Sequence, residues 1–290
     1  MCSAYFSFEK NKVVLMLLFS LLVTVINLLT NRILWALVAF RRYKTLVDRN
    51  KFLITSIFLF SLINSAILIL MVRGEYTGPI LQSIIGYLFN FDKSMMEVTV
   101  YAEFNRQWYM NIGSQLIMNY IVSLIVFPHF HILLHWIRKI YRRIIAKKVG
   151  KPMKNPNFNY CTFYAMSLKA LFFAMLYSNS MPIFYLLCLL AFCVQMNIGR
   201  FLLKYFVDEP VFVDNRAIEV AYGLIPYSLV LHCLTSILFL NVEEFFPTEN
   251  SYGNISNGWF EGNLQKFRRG IVYIIFAIFL LFFILNRKKL

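Results

Sequence analysis

Charged residues are scarce in this chain, because they make up only 15% of its 290 residues, whereas a soluble globular domain carries about 25%. Acidic residues are especially few, with 14 Asp and Glu against 29 Lys and Arg, while hydrophobic residues reach 59%. This balance excludes a cytosolic or secreted globular protein. It predicts an all-α integral membrane protein, since a helix satisfies its own backbone hydrogen bonds in hydrocarbon. The apolar runs are continuous and lack the alternation of membrane β-barrel strands.

Catalytic and metal-binding motifs are also missing from the sequence. It contains no Gly-rich phosphate loop, no H-E-x-x-H and no G-x-S-x-G pattern, so neither an enzyme nor a bound cofactor is expected. Four of the five Cys lie in apolar runs, which argues against a disulfide framework or a zinc site. His131 and His135 share a helix face close to His129, but no carboxylate or Cys accompanies them, so no metal site is predicted.

Seven apolar runs are long enough to cross a bilayer core of about 30 Å. They cover residues 13–39, 52–72, 110–134, 160–180, 182–203, 217–240 and 270–286. The sequence therefore predicts a polytopic transmembrane helix bundle of about seven spans. The loops between the apolar runs are too short for another domain, so a single transmembrane domain over residues 1–290 is expected.

Two prolines predict local features of the bundle. Met181 is the only residue between the fourth and fifth apolar runs, and Pro182 follows it. This spacing predicts a tight hairpin in which Pro182 starts the returning helix. Pro128 lies inside the third run and predicts a kink there.

The distribution of the net charge of +15 orients the bundle. Lys and Arg form short clusters between apolar runs, which is the positive-inside pattern and not a nucleic-acid-binding surface. The clusters at 41–51, 138–154 and 287–289 are placed in the cytosol, so the N-terminus is predicted outside and the C-terminus inside. Asn254 begins an Asn-Ile-Ser sequon in a loop on the outer side, which predicts a glycosylation site there.

The segment 138–154, which is expected to be a cytosolic loop after the third span, is rich in cations and contains no acid. Such a segment next to a membrane helix attracts anionic lipid at about 1 kcal/mol per basic residue. We therefore expect anionic lipid on the cytosolic side of a plasma membrane or endomembrane to be a partner. The predicted lipid-binding residues are Arg138, Lys139, Arg142, Arg143, Lys147 and Lys148.

Four polar side chains fall near mid-depth of the first four predicted spans: Asn27, Asn64, Asn119 and Lys169. One interpretation is a permeation path lined by a polar layer at the membrane midplane. The other is interhelical hydrogen bonding, at roughly 0.6 kcal/mol per bond. Lys169 differs from the amides, because an ammonium at mid-membrane costs about 2.5–3.5 kcal/mol and requires water, a partner or a function.

The linear order of several short patterns resembles a known family. The patterns are Ile26-Asn27-Leu28, Leu62-Ile63-Asn64, Tyr101-Ala102-Glu103-Phe104, Trp108-Tyr109, the run 155–160, Tyr177-Ser178 before Pro182, and the run 203–208. Over roughly residues 20–210 this order is similar to the channel half of the hyperosmolality-gated calcium-permeable channels, the OSCA family. That family belongs to a superfamily with the TMC proteins and the anoctamins.

The resemblance implies a mechanically or osmotically gated, poorly selective cation channel that is permeable to calcium. It also implies a homodimer with one pore in each subunit. The charge distribution described above separately indicates no nucleic-acid partner. Carried over onto this sequence, the pore-facing positions are Asn27, Asn64, Lys169 and Tyr177, to which the polar-layer argument adds Asn119.

Two other functions stay open. A seven-helix receptor would have the same orientation, but the hairpin at Pro182 leaves no room for a ligand-binding outer loop. A lipid scramblase-like protein would use a polar groove that is open to lipid, which the superfamily resemblance allows. Ion currents and lipid flip, measured in proteoliposomes, separate the three functions.

Overall fold

The computed structural model describes residues 2–41, 43–69, 106–149, 158–207, 215–240, 271, 273–282 and 284. Within these ranges nearly every residue is helical and none lies in a strand, which confirms the predicted all-α class. The helices are α1 (Cys2–Arg41), α2 (Leu46–Leu62), α3 (Arg106–Trp108), α4 (Ser114–Tyr120), α5 (Phe127–Val149), α6 (Tyr160–Tyr177), α7 (Ile183–Tyr205) and α8 (Asn215–Leu240). Wider π-helical turns at Ile63–Ile67, Tyr109–Gly113 and Ile121–Val126 extend α2 and join α3, α4 and α5.

Six helical stretches of the described chain are long and apolar enough to cross a membrane. They are Asn11–Arg41, Leu46–Ile67, Arg106–Arg142, Tyr160–Tyr177, Ile183–Tyr205 and Ile218–Ser236. These stretches coincide with the first six predicted spans. The seventh predicted run, 270–286, overlaps a shorter apolar helix at Tyr273–Phe282.

Hydroxyl groups in the middle of the apolar helix α1 are hydrogen-bonded to the backbone of the same helix. Ser20 donates to the Met16 carbonyl at 2.9 Å, and Thr24 donates to the Ser20 carbonyl at 2.8 Å. These bonds to the preceding turn satisfy each hydroxyl inside its own helix. Large side chains such as Leu15 and Leu18 are exposed, as expected for a helix whose outer face meets lipid.

The start of α2 is fixed by a local signal. Thr45 is extended and accepts a hydrogen bond from the Asp48 backbone N–H at 3.2 Å, and its own hydroxyl donates to the Asp48 carboxylate at 2.7 Å. This arrangement satisfies one of the free N–H groups at the helix start. The Asp48 carboxylate in the first turn is also favoured by the helix dipole.

The third predicted span is interrupted where Pro128 predicts a kink. Pro128 is the second residue of α5, and only Phe127 separates it from the wide turn Ile121–Val126. Proline has no N–H and its ring clashes with the carbonyl four residues earlier, so a regular α-helical ladder cannot pass through it. The wide turn accommodates this break in the ladder.

Helix α5 also extends well past the predicted span. It ends at Val149, so residues 138–149 are helical and not a loop, which corrects the interpretation of 138–154 as a loop. The reason lies in its pattern, since the exposed apolar residues Trp136, Ile140 and Ile144 recur at helical spacing between the cations. The extension is thus an amphipathic helix.

The predicted hairpin between the fourth and fifth spans is confirmed. Helix α6 ends at Tyr177 and α7 begins at Ile183, directly after Pro182. The Ser178 N–H donates to Ala174 and the Met181 N–H to Tyr177, both at 2.8 Å, which closes the last turn.

The chain packs as two compact units. The first comprises Met1–Ser65, Ile117–Leu171 and Leu186–Gly223, and the second comprises Ala66–Leu116, Phe172–Tyr185 and Leu224–Leu290. Phe58 and Tyr120 are among the largest fully buried side chains of the first unit, and Tyr177 and Phe173 among those of the second. The single transmembrane domain expected over 1–290 stays a prediction.

Candidate functional site

Three of the predicted asparagines form one hydrogen-bonded network in the first unit. Asn64 donates from Nδ2 to Oδ1 of Asn27 at 2.9 Å, and Asn27 donates from Nδ2 to the Ser65 hydroxyl at 2.8 Å. Asn119 donates from Nδ2 to the Ser65 backbone carbonyl at 2.8 Å. The network thus joins α1, the wide turn after α2, and α4. We call these four residues the asparagine network.

The wide turn Ile63–Ile67 contributes two members of this network. Asn64 and Ser65 are adjacent in sequence, yet both side chains reach Asn27. A π-helical turn has a wider backbone than an α-helix and often occurs at functional sites. Asn119 is fully buried, and its Oδ1 has no hydrogen-bond partner among the described residues. A buried amide oxygen without a partner costs free energy unless water or a ligand reaches it.

Lys169 lies beside this network, on a small cavity of about 40 Å³ in the first unit. Its side chain is only 4% exposed. The polar residues that line the cavity are Thr24, Asn27, Asn31, Ser61, Ser123 and Lys169. Since a water molecule needs about 10–15 Å³, there is room for a few waters. We call this cavity the Lys169 chamber.

The ammonium of Lys169 has no protein counter-charge in the described part of the chain. No hydrogen bond or ion pair to it is found there, and no Asp or Glu in the described ranges lines the chamber. The Ser123 hydroxyl, which also lines the chamber, is buried without a partner as well. Water in the chamber would satisfy both groups, which is the environment that an ammonium inside a membrane requires.

A second, larger cavity of about 670 Å³ lies in the same unit. Its wall includes Arg32 from α1, Arg49 from α2, and His135 and Arg138 from α5. It shares Leu28, Asn31 and Met166 with the wall of the Lys169 chamber. Within the described ranges no Asp or Glu lines it. We call this cavity the basic vestibule.

Several buried polar atoms on the wall of the basic vestibule lack a hydrogen-bond partner among the described residues. They are Asn31 Oδ1, Arg49 Nε, Thr162 Oγ1 and Gln195 Nε2. The other end of the Gln195 amide is held, because its Oε1 accepts from the Ser167 hydroxyl at 2.9 Å. Buried polar groups in proteins are nearly always paired, so a group of unpaired ones around one cavity indicates water or a ligand.

Tyr177, the fifth predicted pore-facing residue, belongs to the second unit. Its hydroxyl donates to the Ala66 carbonyl at 2.8 Å. Its ring packs against Phe173 and Phe184, with centroids 5.4 Å and 5.8 Å away. None of these contacts is with the asparagine network, so the structure does not bring Tyr177 into it, and its pore-facing role stays a prediction.

The predicted lipid-binding cations differ in their surroundings. Arg138 is exposed at the basic vestibule, and Arg142 is partly exposed. Lys139 donates to the Tyr205 carbonyl and lies 5.0 Å from the Phe206 ring centroid, so it caps the end of α7. The side chains of Arg143, Lys147 and Lys148 lie outside the described residues, as does the predicted glycosylation site Asn254.

The sequence analysis missed a polar cluster in the second unit. His232 Nδ1 lies 3.0 Å from the Met175 carbonyl and 3.2 Å from the Ser178 hydroxyl. Asn179 donates to the His232 carbonyl at 2.9 Å. A histidine inside the apolar run 217–240 is the signal that could have indicated it. These hydrogen bonds connect α8 with the end of α6. The cluster contains no carboxylate, and its arrangement is that of a structural contact between the two helices.

Comparisons with protein-family models, with curated proteins and with solved structures found no match. Among the described residues, no group of three or more His, Cys, Asp or Glu is placed to hold a metal ion. The candidate site consists of the asparagine network, the Lys169 chamber and the basic vestibule.

Proposed function

We propose that this protein is an ion channel, or a channel-derived subunit, that conducts ions through its first unit. The observation that carries the proposal is the position of Lys169, whose ammonium is buried and lines a polar cavity. Lys169 lies on α6, which is apolar enough to span a membrane. Such a group is costly in hydrocarbon and is typical of substrate and ion pathways. The neighbouring asparagine network supplies further polar groups at the same place.

The proposal includes features that come from the apolar runs, from the loop charges and from the family resemblance. These are seven spans, an outside N-terminus, a cytosolic C-terminus, a homodimer, and residence in the plasma membrane or an endomembrane. The resemblance also adds calcium-permeable, poorly selective cation conduction under mechanical or osmotic control. In such a pore Lys169 would be the main electrostatic barrier to cations.

Anion conduction is the second candidate, and one observation favours it. The described residues lining the Lys169 chamber and the basic vestibule include one Lys, three Arg and one His but no Asp or Glu. Rings of Lys and Arg are typical of pores that pass anions.

The test is a current measurement on the full chain in proteoliposomes under a salt gradient. The variants are Lys169→Ala and Lys169→Glu, with Lys204→Ala as a matched control, since Lys204 is exposed at the end of α7. In a cation pore, Lys169→Ala raises cation conductance and Lys169→Glu raises it further. In an anion pore, the wild-type reversal potential follows chloride, and Lys169→Glu shifts it towards the cation.

Two results would contradict conduction through the chamber. One is an unchanged current in a well-folded Lys169→Glu protein, since a charge reversal on the wall of the chamber that the ions cross must change conduction. The other is lipid flip without any ionic current in the same vesicles, which would favour the scramblase-like alternative.

A further inference from the structure

We propose that the basic vestibule is a binding site for a phosphate ester carried on an apolar body. This inference goes beyond ion conduction and does not depend on it. The vestibule has a volume of about 670 Å³, within the range of about 300–1,000 Å³ that is typical of small-molecule sites.

The charges on the vestibule wall select an anion. Arg32, Arg49 and Arg138 come from three different helices and meet at one cavity. No carboxylate offsets their charge on this wall, because the described residues that line it include no Asp or Glu. Arginine forms bidentate hydrogen bonds with phosphate oxygens and is often used in proteins to bind them.

The vestibule wall also carries unpaired hydrogen-bond donors, two of which, on Gln195 and Thr162, are separate from these charges. Gln195 is only 4% exposed, yet its Nε2 has no partner within the described chain. The same holds for Nε of Arg49 and for the hydroxyl of Thr162. All three groups can donate hydrogen bonds to phosphate oxygens, which have several acceptor positions. A bound phosphate would satisfy groups that the protein alone leaves unpaired.

The rest of the wall is apolar and defines the body of the ligand. Trp35 from α1, Phe163 and Met166 from α6, and Ile198 and Leu202 from α7 line the cavity. Inorganic phosphate would leave this surface empty, whereas an acyl or similar chain would cover it and bury apolar area. A phospholipid headgroup with the first part of its chains has this chemistry, and so does a soluble organic phosphate with an apolar group.

The experiment measures saturable binding to the purified full chain in detergent. The probe is a fluorescent short-chain phosphatidic acid, with inorganic phosphate and phenyl phosphate, a soluble ester with an apolar group, as competitors. The test variants are Arg49→Gln and Gln195→Met. The control is Arg200→Gln, because Arg200 is an exposed cation on α7 that does not line the vestibule.

The proposal expects one saturable site per chain. Arg49→Gln should weaken binding by about ten- to a hundredfold, since a hydrogen bond to a charged group contributes roughly 1.5–3 kcal/mol and 1.4 kcal/mol is tenfold in affinity. Gln195→Met should weaken it less, and Arg200→Gln should leave it unchanged. Displacement by phenyl phosphate would identify a soluble ester as the source, and resistance to it a lipid headgroup. Equal displacement by inorganic phosphate would overturn the requirement for an apolar body.

Folding of each variant is checked by the thermal unfolding of the unbound protein. If Arg49→Gln fails to fold, the proposal is tested by the loss of affinity in Gln195→Met and by the thermal stabilisation of the wild type by the probe. The proposal is overturned if the probe does not saturate, or if Arg200→Gln loses as much affinity as the vestibule variants. Because binding is measured without current, this result and the failure of ion conduction are separate outcomes.

Discussion

Asn64 donates a hydrogen bond to Asn27 across 2.9 Å, and this bond connects the wide turn after α2 with the middle of α1. Asn27 uses both ends of its amide, because its Nδ2 also donates to Ser65. A side-chain amide satisfied at both ends fixes the rotation of α1 relative to that turn. Both helical stretches are apolar enough to cross a membrane, so this bond would lie where water does not compete freely.

We expect a measurable coupling between these two asparagines. In a double-mutant cycle, Asn27→Ala and Asn64→Ala should be less than additive by about 0.6 kcal/mol, which is the average for side-chain hydrogen bonds between membrane helices. The measurement is the free energy of unfolding in mixed micelles titrated with a denaturing detergent. A control cycle pairs Asn27→Ala with Thr30→Ala, because Thr30 bonds only to Ile26 of its own helix within the described chain. Equal coupling in both cycles would contradict the prediction.

Lys139 and Arg142 should separate the structural role of the α5 cations from their lipid-binding role. Lys139→Gln removes the cap on the Tyr205 carbonyl and should lower the unfolding free energy by about 0.3–1 kcal/mol. Arg142→Gln should have little effect on stability. It should instead weaken binding to vesicles containing phosphatidylserine more than Lys139→Gln does, since the Lys139 ammonium is already hydrogen-bonded. The reverse order in the two measurements would show that the capping geometry has no energetic role.

Two glycines offer a matched test of packing in helices. Gly223 in α8 has open space where a side chain would begin, so Gly223→Ala should stabilise the protein by about 0.5–1 kcal/mol through helix propensity. A Cβ at Gly113 would lie 3.1 Å from the buried Met181 sulfur. Gly113→Ala should therefore destabilise the protein by about 1 kcal/mol.

The same contact predicts how the Gly113 effect can be removed. Shortening the neighbour by Met181→Ala should make the two substitutions less than additive, because the crowded atom is gone. Thermal unfolding in one detergent measures all four variants. Equal gains for both glycine substitutions would show that Met181 moves aside at no cost.

The orientation of the chain is tested by glycosidase treatment of the protein and by protease treatment of intact cells. The positive-inside pattern predicts that Asn254 is glycosylated outside and that residues 138–154 are protected inside. Asn254→Gln should remove the mass shift caused by a glycosidase. A protease site introduced at 150–154 should be cut only after permeabilisation. Cleavage in intact cells would show that the chain has the opposite orientation to the one proposed.

The members of the asparagine network could be predicted from the sequence, whereas their connections could not. An amide in an apolar run is costly to bury, so Asn27, Asn64 and Asn119 stand out from the sequence alone. Ser65 gives no such signal, because a helical serine usually bonds to its own preceding turn. The wide turn that places Asn64 and Ser65 on the same network also has no recognisable sequence pattern.

The basic vestibule could not be predicted, because five helices contribute to it. Arg32 has the sequence context of a cation that reaches the membrane surface, and Gln195 that of a polar residue in an apolar helix. Only packing brings them to one cavity. The helical extension of α5, in contrast, had a signal, since Trp136, Ile140 and Ile144 recur every four residues.

The wide turn Ile121–Val126 determines the direction in which each later side chain of α5 leaves the helix axis. One residue advances an α-helix by about 100°, so the additional residue in a π-helical turn rotates the later side chains by that amount. Deleting a single residue there would return the helix to regular winding and turn Arg138 and Lys139 towards a different side. The vestibule would lose a cation and α7 its cap, although neither side chain had been changed. Deleting one residue from this turn, far from both contacts, would therefore have the same effect as replacing Arg138 and Lys139 together.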